Sequence, residues 1–542
     1  TLSALFSSDS SLLLTTSRDS YAAVWKTNGD APTRKHVGVT KDGKQAPWES
    51  PHGDRLRTFR GHGDQFLAGA FDPEGRRVLT CSEDGTARLW DLATGEELAE
   101  MVNVDEQSEW LVSTPQGLFD GSEKGRQLVT YRVGGGLNVV PVDRFFQDFY
   151  TSGLLSAVTL GERPMPQVEL GRSRPPLVKI LSPRSGDAVD SSRITLEVEA
   201  VDQGGGIDGP WLLQNGSRII AEGQVEKLDK RLKRTFQVWL TEGENRIEVR
   251  AASSDGSWES EPARVTVTFA KPLVKPDLHV LAIGANRYAQ ESLNLKFAAD
   301  DAKAIARLFE ERGKTLYSTV HSRQLLDDQA TRKGVRQALE EIGKQAQPKD
   351  TLLVYLAGHG TMVGQRYFFI GHEFQRQEGK SLEDDVREQG LAADVLGDLL
   401  AGVPALKRML IFDTCHSGGA LGLVKTARNP FAFRGAVERL SRSQGVFTIA
   451  ASAASEEAQE VPELGHGVLT YALLAGLGGI HKGPLEGKSL RTNNPDRVAD
   501  VLEWFSFASG QVPRLTSKYF GKEQEVQTSG SGNPFPVLPI GE

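Results

Sequence analysis

Two stretches of this chain align without a gap at an offset of 65 residues. Residues 15–25 read Thr-Thr-Ser-Arg-Asp-Ser-Tyr-Ala-Ala-Val-Trp, and residues 80–90 read Thr-Cys-Ser-Glu-Asp-Gly-Thr-Ala-Arg-Leu-Trp. Ser17 falls on Ser82, Asp19 on Asp84, Trp25 on Trp90, and Phe6 on Phe71 in the same register. A repeated supersecondary unit cannot bury its apolar face alone, so the N-terminal part must stack one copy on another. The 57 glycines suit a turn-rich β architecture there, and 542 residues leave room for two or three further domains.

The second copy is preceded by Gly61-His62 and ends in Trp90-Asp91. A Gly-His followed by Trp-Asp at this distance resembles the WD repeat, one four-stranded blade of a β-propeller. The offset exceeds the usual period of about 40–45 residues, which predicts an insertion over roughly Asp30–Asp54. Two blades and a degenerate third near Trp110–Val140 fall short of the roughly 4–8 that close a propeller. Two readings stay open: a divergent small propeller, or the C-terminal part of a longer protein, the second being favoured. Residues 1–145 are read as a partial propeller and 146–174 as a linker. Asp84 is read as a hydrogen-bonding residue of the blade.

Between the Pro-rich entry at Pro175, Pro176 and Pro183 and the exit at Pro272 and Pro276, apolar residues alternate strictly: Ile194/Leu196/Val198, Phe236/Val238/Leu240 and Val265/Val267/Phe269. Period-two alternation with Gly, Asn and Asp turns predicts half-buried strands. Residues 175–272 are read as a disulfide-free sandwich resembling the immunoglobulin fold, acting as a spacer or docking module.

A net charge of −8 gives no footprint for nucleic acid or an anionic membrane, and neither is expected as a partner. No apolar run reaches 18 residues. Only two cysteines are present, Cys81 and Cys415, which excludes a disulfide framework and a thiolate metal cage. Their scarcity points to a reducing compartment, read as cytoplasmic. Cys81 falls in a blade strand and is expected to be inert.

From Asp277 the rhythm becomes strand–helix–strand. Leu278–Ile283, Thr351–Leu356, Arg408–Phe412 and Val446–Ala450 are uniformly apolar, and Phe297–Phe309 and Thr331–Ile342 carry helical spacing, with Thr331 as a cap. This predicts a mostly parallel sheet covered on both faces, with its site at the carboxyl ends of the strands. Two of those strands run into Ala357-Gly-His359-Gly360 and Asp413-Thr-Cys415-His416-Ser-Gly-Gly. A cysteine becomes a nucleophile when a base takes its proton, and His359 on a neighbouring strand suits that role. The backbone N–H groups of Cys415 and Gly360 are the natural oxyanion donors. His416 is read as structural, and His372 and His466 have weaker context.

Leu-Ala-Gly-His359-Gly and Ile-Phe-Asp-Thr-Cys415-His-Ser-Gly-Gly resemble the caspase-like clan, and within it the metacaspases and bacterial caspase-like (orthocaspase-type) proteases. Ala282-Ile283-Gly284-Ala-Asn286-Arg-Tyr288 and Ala299-Asp300-Asp301-Ala302 resemble further motifs of that family. The resemblance spans about Asp277–Gly530, and a peptidase domain of caspase-hemoglobinase fold is assigned to 273–530, with a tail over 531–542. It implies a cysteine endopeptidase with His359 and Cys415 as its dyad. It also implies a specificity pocket whose acids fall on Asp301 and Asp413, beside Asp300. A carboxylate pair binds a guanidinium bidentately, so cleavage is expected after Arg and less well after Lys. The family's pocket cysteine stands here as Ala298, and its serine two before the histidine as Ala357.

Many metacaspases need calcium. The stretch after His416 carries no acid, and beyond His359 lie only Glu373 and Glu383–Asp385, the latter read as a solvated acidic turn. No cofactor or metal is therefore expected, calcium being the one considered and not favoured. Lys425, Arg428 and Arg434 occupy the place of the caspase intersubunit linker and are expected as self-processing sites. An upstream activating protease that removes most of the propeller is a further expected partner. The competing class is a catalytically silent scaffold whose WD repeats and sandwich bind protein partners. A thiol transferase lacks any nucleotide or coenzyme motif.

Overall fold

The computed structural model describes residues 2–18, 21–27, 34–39, 45–50, 55–104, 109–132, 139–166, 175–255, 258–270, 275–416, 432–452, 461–492, 497–530 and 532–540. Thr1–Glu169 forms one compact unit and Leu170–Glu542 another.

In the first unit the sequence repeat becomes two antiparallel sheets. Ser3–Phe6, Leu12–Ser17, Tyr21–Lys26 and Arg55–Phe59 make one. The hairpin Arg34–Val39/Gln45–Ser50 lies between its third and fourth strands, where the insertion was expected. Phe66–Phe71, Arg77–Ser82, Thr86–Asp91 and Glu97–Asn103 make the other. His62 Nδ1 lies 3.1 Å from Asp84 Oδ2 and its Nε2 lies 3.0 Å from Thr80 Oγ1, which also accepts from Trp90 Nε1 at 2.8 Å. This buried chain ties the Gly-His turn to two strands of the blade, the structural role expected of Asp84.

Two expectations change here. Trp110–Ser113 and Phe119–Gly121 do not open a third four-stranded sheet among the described residues; they extend the second one. Part of the expected linker is folded, because Phe146, Phe149, Tyr150, Leu154 and Val158 are buried.

The second unit begins with two sheets facing one core. Leu177–Ser182, Arg193–Val201, Val225–Leu228 and Arg231–Trp239 form one. Ala188–Val189, Asp208–Gln214, Ser217–Ile219, Gly243–Ala252 and Ala263–Phe269 form the other. Alternate residues from both meet inside, among them Leu196, Val198 and Phe236 against Leu212, Val249 and Val265.

The rest of the unit is an α/β layer structure. In chain order its main elements are β1 (Leu278–Gly284), α1 (Ala298–Arg312), β2 (Val320–Leu326), α2 (Arg332–Gln345), β3 (Thr351–Val363) and β4 (Arg366–Ile370). There follow α3 (Leu382–Gln389), β5 (Lys407–His416), α4 (Ala432–Gln444), β6 (Phe447–Ser452), α5 (Val468–Gly476), α6 (Val501–Phe520) and β7 (Glu525–Ser529). The sheet order is β2-β1-β3-β5-β6-β7, parallel except for β7. α1, α5 and α6 cover one face and α2 and α4 the other, each with its own core. Thr331 caps α2 by accepting from the Gly334 N–H, as expected.

The sandwich is docked on this layer, and two other details depart from expectation. Ser217 Oγ donates to the carbonyls of Leu406 (2.6 Å) and Gly445 (3.0 Å), and fully buried Arg408 of β5 donates to carbonyls of Val403, Ala405 and the sandwich's Arg218. Glu383–Asp385 is the first turn of α3, and Asp385 is fully buried against Arg376 at 2.9 Å rather than solvated. The expected tail belongs to the core, for Pro536–Pro539 pairs with Val498–Asp500 and Phe535, Val537 and Leu538 are buried.

Candidate active site

β3 and β5 are long strands, and the two reactive motifs lie within them rather than beyond their ends. Their parallel ladder continues past the apolar segments to pair Ala357 with Asp413, His359 with Cys415 and Gly360 with His416. Neighbouring strands stand about 4.8 Å apart, so the register alone brings the backbones of His359 and Cys415 side by side. Beyond Gly358, β3 turns back through β4, with His359 opposite Ile370 and Gly360 opposite Phe369.

The imidazole of His359 is held on several sides. Its Nε2 lies 2.7 Å from the carbonyl oxygen of Leu293. A carbonyl only accepts, so Nε2 carries the proton and Nδ1 keeps the lone pair. Nδ1 is buried and has no hydrogen-bond partner among the described residues. The Tyr288 ring packs 4.9 Å from the imidazole, and Tyr288 Oη accepts from the His359 backbone N–H at 3.0 Å. Burial holds the imidazole below its ordinary range, only partly offset by the Leu293 hydrogen bond, so the neutral form prevails at neutral pH. Gly358 has φ +148°, and a Cβ there would meet Tyr288 Oη at 2.7 Å; glycine is what lets Tyr288 reach the histidine.

A second cluster forms one strand layer away. Asp301 sits in the first turn of α1 and Asp413 on β5, and both face the start of α5. Asp301 Oδ1 lies 2.6 Å from His466 Nδ1, and its Oδ2 accepts from the Gly467 N–H at 2.9 Å. Asp413 Oδ2 accepts from Thr470 Oγ1 at 2.5 Å and Thr470 N at 3.2 Å, with Tyr355 Oη at 3.4 Å. A Cβ on Gly467 would lie 2.9 Å from Asp413 Oδ2 and 3.1 Å from Asp301 Oδ2, so a glycine marks where the two acids converge. Burial and the Asp301 charge push the Asp413 carboxyl up to about 6. Burial, then the two carboxylates, push Tyr355 well above its ordinary value, keeping it a neutral donor.

Not every expected site residue joins these clusters. Asp300 points away and pairs with Lys303 at 2.9 Å on the exposed side of α1. Arg434 lies in α4, its Nε 3.0 Å from Glu438 Oε1, and helical backbone does not offer the extended strand a protease cleft takes. Lys425 and Arg428 lie outside the described residues, as does the side chain of Cys415. No helix of the described residues is long and apolar enough to cross a membrane, and no three His, Cys, Asp or Glu among them gather as a metal site.

Residues 278–523 match the family model of the caspase domain. That part of the chain is similar to a caspase domain. Residues 53–91 match the WD domain, G-beta repeat. The chain is 31% identical over 152 residues to metacaspase-1 of Yarrowia lipolytica, covering 26% of this chain and 32% of the relative. It is 29% identical over 152 residues to metacaspase-1B of Aspergillus terreus, covering 26% and 39%. It is 30% identical over 109 residues to THO complex subunit 6 of Arabidopsis thaliana, covering 19% and 29%. The chain thus spans well under half the length of these curated relatives.

Sequence reasoning passed over three parts of the caspase domain's site. The Leu293 carbonyl is backbone and carries no side-chain signal. Tyr355 and Thr470 read as ordinary core residues in apolar elements. His466 was set aside, although the His-Gly pair directly before an apolar helix was the available clue.

Proposed function

We propose that this chain is a cysteine endopeptidase that cleaves protein substrates after Arg, and less well after Lys. The observation that carries the reading is the pairing of His359 with Cys415 in one ladder, beside a pair of convergent carboxylates. Cys415 gives its proton to His359 Nδ1, and the sulfur attacks the scissile carbonyl carbon. Backbone N–H groups of Cys415 and Gly360 take the oxyanion. The C–N bond breaks, the amine leaves with the proton from His359, and a thioester remains. Water, losing a proton to His359, hydrolyses it to a carboxylic acid and restores the thiol. Asp301 and Asp413 receive the guanidinium of the residue before the cut.

In this reading Lys425 and Arg428 are the self-processing sites, and an upstream protease completes activation. The WD blades and the sandwich, taken as immunoglobulin-like, act as docking and regulatory modules. The enzyme works without calcium in a reducing, cytoplasmic setting, where its thiol stays free. Its partners are protein substrates rather than nucleic acid or membranes.

The test is a peptide library with each residue in turn before the cut, run on wild type and Cys415→Ala. Cleavage confined to Arg and Lys, and lost in the variant, supports the reading. Folded wild type that neither cleaves nor is labelled by an Arg chloromethyl ketone favours the silent scaffold.

A further inference from the structure

His466 is only 23% exposed at its side chain and covers Asp301, itself 4% exposed, on the solvent side. His466 and Gly467 are consecutive, and each donates to a different oxygen of the same carboxylate. Three residues on, Thr470 grips Asp413 by backbone N–H and hydroxyl, both donating to Oδ2. The start of α5 therefore orients both acids. Gly467 and Thr470 do so from within the helix-opening turn, where amides point at anions in any case. His466 precedes that turn, and its contribution comes from a side chain that no backbone rule demands.

The two ligands of such a pocket respond differently to carboxylate orientation. A guanidinium forms two parallel hydrogen bonds in one plane and needs the carboxylate plane set correctly. An ammonium is a compact point charge and tolerates rotation. A carboxylate held at both oxygens cannot turn about its Cβ–Cγ bond; one that loses the His466 donor turns more readily.

We propose that His466 is a positioning residue that sets the plane of Asp301 and thereby the preference for Arg over Lys before the cut. The inference rests on the Arg-pocket reading above and adds a residue that acts through Asp301 rather than on the substrate. The Asp301 oxygen facing His466 is held in place in the free enzyme, so the arriving guanidinium meets a prepared partner.

The experiment compares matched Arg and Lys peptides on wild type, His466→Ala, His466→Asn and Asp301→Asn, with thermal midpoints measured for all. His466→Ala should raise KM for the Arg peptide about tenfold, the weight of one charge-assisted hydrogen bond. Its kcat and its KM for the Lys peptide should stay within about twofold. His466→Asn keeps an amide donor near the Nδ1 position and should restore most of the Arg preference. If His466→Ala does not fold, His466→Leu, similar in size and without a donor, takes its place.

The inference is overturned if Arg and Lys rates fall together, which marks a merely structural role. It is equally overturned if KM for Arg falls, which marks the imidazole as a competitor. Wild type without Arg preference, or Asp301→Asn with unchanged KM, removes the pocket reading and this inference with it. An Arg preference lost in Asp301→Asn but kept in His466→Ala removes only the inference.

Discussion

The Nε2 of His359 on β3 hydrogen-bonds the backbone carbonyl of Leu293, which lies in the connection between β1 and α1. A main-chain oxygen does here what a carboxylate does in a Ser-His-Asp triad: it fixes the tautomer and the ring. Because the orienting group is backbone, no substitution at position 293 removes it. The proposed dyad is therefore tested at His359 and Cys415 themselves. His359→Ala and Cys415→Ala should each lower kcat/KM on an Arg peptide by about a thousandfold or more, with thermal midpoints near wild type. Residual rates within tenfold of wild type would sink the assignment.

The Asp413 carboxyl, raised to about 6, predicts an acid limb in the pH profile. In the proposed Arg pocket, protonation removes the charge that would meet the guanidinium, so kcat/KM for Arg peptides should fall about tenfold per unit below pH 6. A raised carboxyl pKa also means the fold binds this proton more tightly than the unfolded chain. Its stabilising contribution is present below about 3.8 and lost as pH rises through about 6. Asp413→Asn should therefore raise the thermal midpoint at pH 7.5 but not at pH 4, while weakening Arg cleavage. Calorimetry at the two pH values checks this.

Calcium should have little effect. Asp301 and Asp413 already accept from His466, Gly467 and Thr470, and hard cations need six to eight oxygens. Chelation, or millimolar calcium, should change kcat/KM by less than about twofold. Activation of tenfold or more by calcium would refute this.

Arg408 predicts a stability effect remote from the chemistry. Its guanidinium is fully buried and satisfied by carbonyls alone, and burial lowers it to about 9. Arg408→Ala leaves those carbonyls without donors and should cost about 3 kcal/mol or more in urea unfolding. A cost below about 1 kcal/mol would show that water replaces it.

In the first unit, Asp84→Ala removes the hub of the His62 network and should destabilise it by about 1–3 kcal/mol. The lowest-temperature transition of the full chain is the readout.

What the residues disclosed in advance were features carried by side-chain pattern. The parallel sheet followed from runs such as Leu278–Ile283 and Thr351–Leu356, the α2 cap from Thr331, and the pairing of Asp301 with Asp413 from motif position. What stayed hidden was set by register and backbone. The strands do not stop where hydrophobicity stops, because β3 and β5 go on pairing through polar residues. Asp300 and Asp301 are adjacent in sequence, yet the rotation of about 100° between successive helical residues sends only Asp301 inward. The C-terminal strand was read as a tail, yet Pro536–Pro539 pairs with Val498–Asp500 in a two-stranded ladder, whose edges tolerate proline.

Beside the Ser217 and Arg408 hydrogen bonds, the docking of the sandwich on the caspase domain includes one contact between glycines. Gly445 has φ +64°, and any side chain there would run into the backbone of Gly216 and Ser217 at the tip of the sandwich hairpin. Two modules that meet in part through bare main chain cannot be recombined freely. A sandwich grafted from another protein would have to bring a tip equally free of side chains, with a hydroxyl after it to match Ser217. Seen as an engineering problem, the two modules are one transplantable cassette.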